Sequence, residues 1–273
     1  MKLTVLIPAS FTTEVDDDRI EAYKIGQIAR ALSVFRCNEL VVYDDVPDEG
    51  DKIALVLEYA ATPPYLRKDV YDRRPELKEV GVLPPLRTPS HRVEPATGDK
   101  GKETPEYRMG VVTKVESDGR VWVNCGTQHP VALRVSNPEG EGIREGERVT
   151  LRISSRDPVR AKTVSRDEVP HYWGYSVDRK PLDEWIDDYE GTVVSTSRYG
   201  ERFGCDAAYT DADELALVFG SPDRGVEAIL RDYYGTSIGF DAVVNTVPEQ
   251  GTETVRTEEA VFATLSLLNV SKI

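Results

Sequence analysis

Three stretches in the last third of the chain join apolar residues to glycines, small hydroxyls and amides, the combination that lets bare backbone approach a small ligand. The first is Thr196-Ser197-Arg198-Tyr199-Gly200, after the apolar Gly191 to Ser195. The second runs LALVFGSPDRG from Leu215 to Gly225, bringing Gly220, Ser221 and Gly225 into one turn. The third begins at Asn245-Thr246-Val247 and continues through Gln250, Gly251, Thr252 and Thr254 to Arg256, a polar loop whose amides and carbonyls can bind an edge such as that of adenine. The G-x-x-x-x-G of the second stretch opens like a phosphate loop. That motif then needs Lys and Ser or Thr, however, whereas Val226 and Glu227 follow, and an acid there repels phosphate. No G-x-G-x-x-G follows any apolar run, so a dinucleotide fold lacks its glycines. Taken singly, each stretch also describes a tight turn or a solvated loop.

These loops need strands before them and helices after them. Beyond Arg166 the pattern predicts strands at Tyr172 to Val177, Gly191 to Ser195, Leu215 to Phe219 and Asp241 to Asn245. Helices are predicted at Pro181 to Asp188, Arg224 to Tyr234 and Thr257 to Asn269, the last with Thr257 as a capping hydroxyl and Glu258 and Glu259 in its first turn. The N-terminal stretch has the same rhythm: a strand from Leu3 to Pro8, and a helix capped within Asp16 to Asp18 that carries Ile20, Tyr23, Ile28, Leu32 and Phe35. A strand from Leu40 to Tyr43 follows, and Ile53 to Ala60 fits either a strand or a helix. Alternating elements imply a mainly parallel sheet.

Between them the texture changes. Prolines at 84, 85, 89 and 95 and a polar run from Gly98 to Pro105 read as a linker. Short strands then follow at Met109 to Glu116, Arg120 to Asn124, Val131 to Val135 and Arg148 to Ile153, the first two flanking a Ser117-Asp118-Gly119 turn, with Gly140, Gly142 and Gly146 in later loops. This suggests a small OB-like β-barrel. The chain thus divides into residues 1–88, 89–166 and 167–273, the first and last forming one α/β domain around the insert.

The chain has 273 residues and a formal charge of −14, with 48 acidic and 34 basic residues, 23 of the basic ones being Arg. Acidic excess with scarce lysine suits a halophilic protein, since concentrated salt shortens the reach of self-repulsion. No apolar run approaches a membrane span. Cys37, Cys125 and Cys205 are widely spaced and form no C-x-x-C pair, which argues against a disulfide framework and a zinc site and for a reducing cytoplasm; Cys125 with His129 lacks further ligands. From Arg67 to Arg108 there are ten basic and eight acidic residues, a locally positive stretch in an acidic chain.

Taken together, the Thr196 to Gly200 stretch, the Gly220 loop and the run Pro248-Glu249-Gln250-Gly251-Thr252-Glu253-Thr254-Val255-Arg256 resemble the SPOUT-superfamily methyltransferases. The closer similarity is to their archaeal and eukaryotic RNA methyltransferase family with an inserted OB-like domain. Gly26-Gln27-Ile28-Ala29-Arg30, Leu57-Glu58-Tyr59, Thr62-Pro63-Pro64-Tyr65-Leu66-Arg67-Lys68 and Leu83-Pro84-Pro85-Leu86-Arg87-Thr88-Pro89 extend it over nearly the whole chain.

The resemblance implies an α/β-knot, a trefoil-threaded and mainly parallel sheet, acting as a homodimer without metal. It implies S-adenosylmethionine as cofactor, held by Thr196, Ser197, Gly200, Gly220, Ser221, Gly225, Asn245, Thr246, Val247, Gln250, Gly251, Thr252 and Thr254. Arg30 is the first catalytic candidate, because the resemblance places its helix beside the cofactor loops, with Arg198 and Glu258 as further candidates. RNA, ribosomal and with uridine N3 as acceptor, is the implied substrate. Arg67, Lys68, Arg87 and Arg92 are candidate RNA contacts, and Tyr107 or Trp122 candidate stacking platforms. A non-catalytic RNA-binding or ribosome-assembly protein that keeps the cofactor fold fits the same residues.

Overall fold

A computed structural model describes residues 1–47, 49–92, 106–117, 119–134, 143–156, 159–204 and 207–271. Asp118 of the predicted turn, the run from Gly98 to Pro105, Gly140, Gly142 and Cys205 lie outside the described residues. The chain forms two compact units, one of residues 1–61, 75–86 and 175–273, the other of residues 62–74 and 87–174.

The first unit begins with β1 (Lys2–Pro8), α1 (Asp18–Val34), β2 (Glu39–Tyr43) and α2 (Gly50–Ala61). Asp17 caps α1 by accepting from the Arg19 and Ile20 amides at 2.8 and 3.0 Å, and Asp18 and Glu21 add negative charge to the first turn. The helix buries Ala22, Ile25, Ile28, Ala29 and Leu32. Ile20 and Tyr23 are each 53% exposed, so the buried stripe lies beside the one that apolar spacing suggested. Residues 53–60 are helical: their periodicity buries Ile53, Val56, Leu57 and Ala60 along one stripe.

The second unit holds α3 (Arg67–Val70) and five antiparallel strands, β3 (Glu106–Val115), β4 (Arg120–Asn124), β5 (Val131–Arg134), β6 (Arg148–Arg156) and β7 (Val159–Val164), the last not foreseen in the sequence. Their order is β5-β4-β3-β6-β7, and the edge strands β5 and β7 touch, so the sheet curls. Val112, Val121, Val123, Val131, Leu133 and Leu151 fill it. Trp122 is half-buried and donates from Nε1 to Glu116 at 3.0 Å, and Tyr107 meets His171 and Trp173 edge-on, at centroid distances of 6.0 and 6.4 Å.

The first unit resumes with β8 (Ser176–Arg179), α4 (Leu182–Asp187), β9 (Thr192–Arg202), β10 (Glu214–Val218), α5 (Val226–Ile229), β11 (Ala242–Asn245) and α6 (Thr257–Val270). The strand expected from Tyr172 starts only at Ser176, because Tyr175 turns into the core, where its hydroxyl donates to the Leu57 carbonyl at 3.0 Å. A π-helical turn, Leu230–Tyr234, extends α5.

The sheet order is β11-β9-β10-β1-β2-β8, and every pairing is parallel. Strand alternation sorts its side chains onto two covered faces. Leu3, Val5, Ile7, Leu40, Val42, Leu215 and Leu217 pack with α1, α2 and α6, whereas Leu6, Val41, Tyr43, Ala216 and Val218 pack with α4 and α5. Among the described residues no helix is long and apolar enough to cross a membrane. Ile28 is fully buried between α1 and the sheet. Ile28→Ala should lower unfolding free energy by roughly 2–5 kcal/mol in a denaturant titration, and a loss below about 0.5 kcal/mol would contradict this packing.

Candidate functional site

With both faces of a parallel sheet covered, what stays open is the edge where the strands end, and ligands of such sheets bind there. The three loops meet at this edge. The first is a break in register: Val243 of β11 pairs with Ser195 of β9, but Val244 pairs with Glu201, so residues 196–200 have no partner on β11 and bow outward. Gly200 closes the base of the bow, since a Cβ there would lie 2.6 Å from the Val243 carbonyl oxygen. Thr196 ties the bow to β10 by donating to the Val218 carbonyl at 3.2 Å.

The second loop, residues 219–225, turns tightly enough that a Cβ on Gly220 would lie 2.5 Å from the Arg224 carbonyl oxygen. The third is joined to the first by Asn245. Its amide donates to the Arg198 carbonyl at 2.8 Å, while its carbonyl side accepts from the Val247 amide at 3.0 Å. Farther on, Gln250 holds the loop by donating to the carbonyls of Thr252 and Glu253 at 2.9 and 3.0 Å. The helix start differs from the sequence reading. Arg256 occupies the cap position, and the Thr257 hydroxyl donates instead to the Gly220 carbonyl at 2.9 Å, joining the second and third loops.

Together they enclose a cavity of about 480 Å³, within the usual span for small-molecule sites. Thr196, Ser197, Arg198, Gly220, Ser221, Gly225, Asn245, Thr246, Val247, Gln250 and Thr254 line it. Gly200, Gly251 and Thr252 do not. Gly200 acts through the bulge, and Thr252 donates to the Thr254 carbonyl at 2.9 Å. Polar lining residues that the sequence did not assign to the cofactor include Asp223, Arg224, Glu253 and Thr257. Among the lining residues are both signs of charge, Arg198 and Arg224 against Asp223 and Glu253, with apolar walls at Val244, Val255 and Ala228.

Two catalytic candidates sit elsewhere in this unit. Arg30 donates from Nη1 to the Leu86 and Pro85 carbonyls at 3.0 and 3.3 Å, holding residues 85–86 against α1, whose Gly26 leaves no room for a Cβ beside Pro84. Glu258 turns away from the cavity toward Lys24, 3.7 Å off, which also pairs with Glu14. Burial lifts the Glu258 carboxyl above the usual range, while Lys24 draws it down, and its Oε2 is buried without a hydrogen bond. The four RNA candidates lie in the other unit. Lys68, Arg87 and Arg92 are exposed, and Arg67 is half-buried with its Nε donating to the Thr62 carbonyl at 3.0 Å.

Residues 2–268 match the model of the family described as "Putative RNA methyltransferase". This chain belongs to that family. Among relatives of this family member, proteins of Haloarcula marismortui and Halobacterium salinarum are 44% and 43% identical over the whole of both chains. A human 28S rRNA (uridine-N(3))-methyltransferase is 28% identical over 97% of this chain and 77% of its own. The SpoU methyltransferase AviRb of Streptomyces viridochromogenes, solved with AdoMet, superposes with a TM-score of 0.42 at 11% identity, covering 99% of this chain and 58% of that one.

The buried Glu258 gives this family member a pH signature. A carboxyl whose folded pKa exceeds its unfolded one weakens the fold when ionised, so the penalty is absent at low pH and appears as pH rises through the folded value. Glu258→Gln should therefore melt above the wild type near pH 8, with the gap closing toward pH 4 or so. A variant that melts lower at both pH values would contradict the assigned environment.

Proposed function

We propose that this protein is an S-adenosylmethionine-dependent RNA methyltransferase acting on ribosomal RNA, with uridine N3 as the acceptor. The observation that carries the proposal is the convergence of three separate loops on one cavity at the strand ends of a family member. The fit to the cofactor is chemical: S-adenosylmethionine carries a carboxylate, two cationic centres and an adenine, and the lining offers arginines, carboxylates, backbone edges and apolar walls. Gly200 and Gly220 leave no room for a Cβ where the loops close upon themselves.

When bound, the cofactor supplies an electrophilic methyl on its sulfonium. The protein's task is then alignment and exclusion of water. Asn245 sets the first loop relative to the third, and Thr257 the third relative to the second. Arg198, over the Tyr199 ring at 4.8 Å, is the cation suited to steady an RNA phosphate or the uridine carbonyl beside the reacting nitrogen. Support for a ribosomal uridine comes from the relatives' names.

The reading extends to a trefoil-threaded homodimer with an OB-like insert, working in a salt-rich, reducing cytoplasm. Threading is supported by the path of the last segment, which leaves the edge strand β11 and returns to bond Gly220 before α6 packs on α1. For the dimer there are the exposed Ile20 and Tyr23 and a Tyr199 that is 83% exposed. The curled antiparallel sheet supports the OB-like insert. The acidic composition and the two haloarchaeal relatives favour salt.

Calorimetry should show S-adenosylmethionine binding that weakens about tenfold in Asn245→Ala, which loses the hydrogen bond joining the third loop to the Arg198 carbonyl and the local one from the Val247 amide. Ribosomal RNA from cells lacking the gene should lose one methylated uridine, and an unchanged nucleoside profile would sink the enzymatic reading. Lowering KCl from molar to tenths of molar should lower the melting temperature. Indifference to salt would remove the halophilic part alone.

A further inference from the structure

We propose that Arg224 is a positioning residue, braced by the buried Asp45, that holds the 219–225 loop in its ligand-ready form. The inference rests on the cofactor reading above and deepens it. Arg224 Nη2 donates to Asp45 Oδ2 at 2.6 Å and to the Asp45 carbonyl at 3.1 Å. The Asp45 side chain is wholly buried, and Ser10 also donates to it, from its amide at 2.8 Å and from its hydroxyl. One carboxylate thus gathers the end of β1, the end of β2 and the loop after β10.

Arg224 also closes the loop upon itself. Its carbonyl accepts from the Ser221 amide at 2.9 Å, and its own amide donates to the Ser221 hydroxyl at 3.2 Å. Two further anchors hold the near end, the Tyr43 hydroxyl on the Phe219 carbonyl at 2.5 Å and Thr257 on Gly220. At the far end the Arg224 side chain acts beside the first turn of α5, where the Gly225 carbonyl accepts from the Ile229 amide at 3.1 Å. A loop ordered before binding spares the ligand the entropy of ordering it, so the brace acts on affinity. About a third of the Arg224 side chain is exposed, which makes the residue replaceable without opening the core.

Arg224→Gln, Arg224→Lys, Asp45→Asn and the Arg224→Gln/Asp45→Asn pair would be compared with wild type in the full chain. Amide hydrogen exchange without cofactor should quicken at residues 221–225 in Arg224→Gln. Calorimetry with S-adenosylmethionine should show affinity falling about tenfold, partly recovered in Arg224→Lys, with the pair no weaker than either single change because the two act as one unit. The loss in activity should fall on the KM for S-adenosylmethionine more than on kcat, separating a positioning role from a catalytic one. Unchanged exchange overturns the brace whatever the cofactor does, and so does additive loss in the pair. If Asp45→Asn fails to fold, Arg224→Gln alone decides through exchange and affinity. Wild type that fails to bind S-adenosylmethionine while exchange responds as expected would overturn the cofactor reading instead.

Discussion

The site depends on a difference in length between two neighbouring strands. β9 carries five residues between its pairings with Val243 and Val244 that β11 does not match, and in a ladder the surplus must leave the sheet. It leaves at the edge where every parallel strand ends, beyond the two faces that the helices cover. Gly200 allows the departure at its base, Thr196 holds the bow to β10, and Asn245 uses the exposed Arg198 carbonyl to set the course of the chain that follows. Without the surplus, β9 and β11 would pair straight through and the cavity would lose one wall.

Polar groups then organise what the register break begins. The Gly220 carbonyl takes the Thr257 hydroxyl, the Phe219 carbonyl takes Tyr43, and a buried hydroxyl pair, Thr264 with Thr246 at 2.9 Å, secures α6 to the end of β11. Each joins segments far apart in sequence. Burial lifts the Asp45 carboxyl above the usual range, and the Ser10 and Arg224 donors offset part of that rise.

Much of the fold was legible in the sequence because period and punctuation are local. The strands β1, β2, β9, β10 and β11 and the helices α1 and α6 could be read from apolar spacing, and the three loops from their glycines and hydroxyls. What could not be read is long-range. Apolar spacing suggests Ile20 and Tyr23 as part of the buried stripe, and only the direction in which the sheet lies exposes them. Arg30 is singled out by the resemblance and Glu258 by its place at the start of the helix after the third loop, yet each finds a partner outside the cavity, in the Pro85 and Leu86 carbonyls and in Lys24. Arg224 looks like a solvated loop arginine until β2 delivers Asp45 beneath it. In the extra strand β7 only Val164 is buried among residues 160–164, and Arg160, Ala161, Lys162 and Thr163 before it carry little apolar signal.

The pairing of β1 has a kinetic side. This strand lies inside the sheet between β2 and β10, and its register with β10 joins Lys2 to Glu214, roughly two hundred residues along the chain. During synthesis the first strand emerges long before one of its two neighbours exists, leaving Val5 and Ile7 with a bare sheet edge beside them. Closing so long a loop is slow, and an unpaired apolar strand invites association while it waits. The cavity, made wholly from residues 196–260, is thus among the last parts of the molecule to form, and a ribosome that releases the chain early releases it without a site.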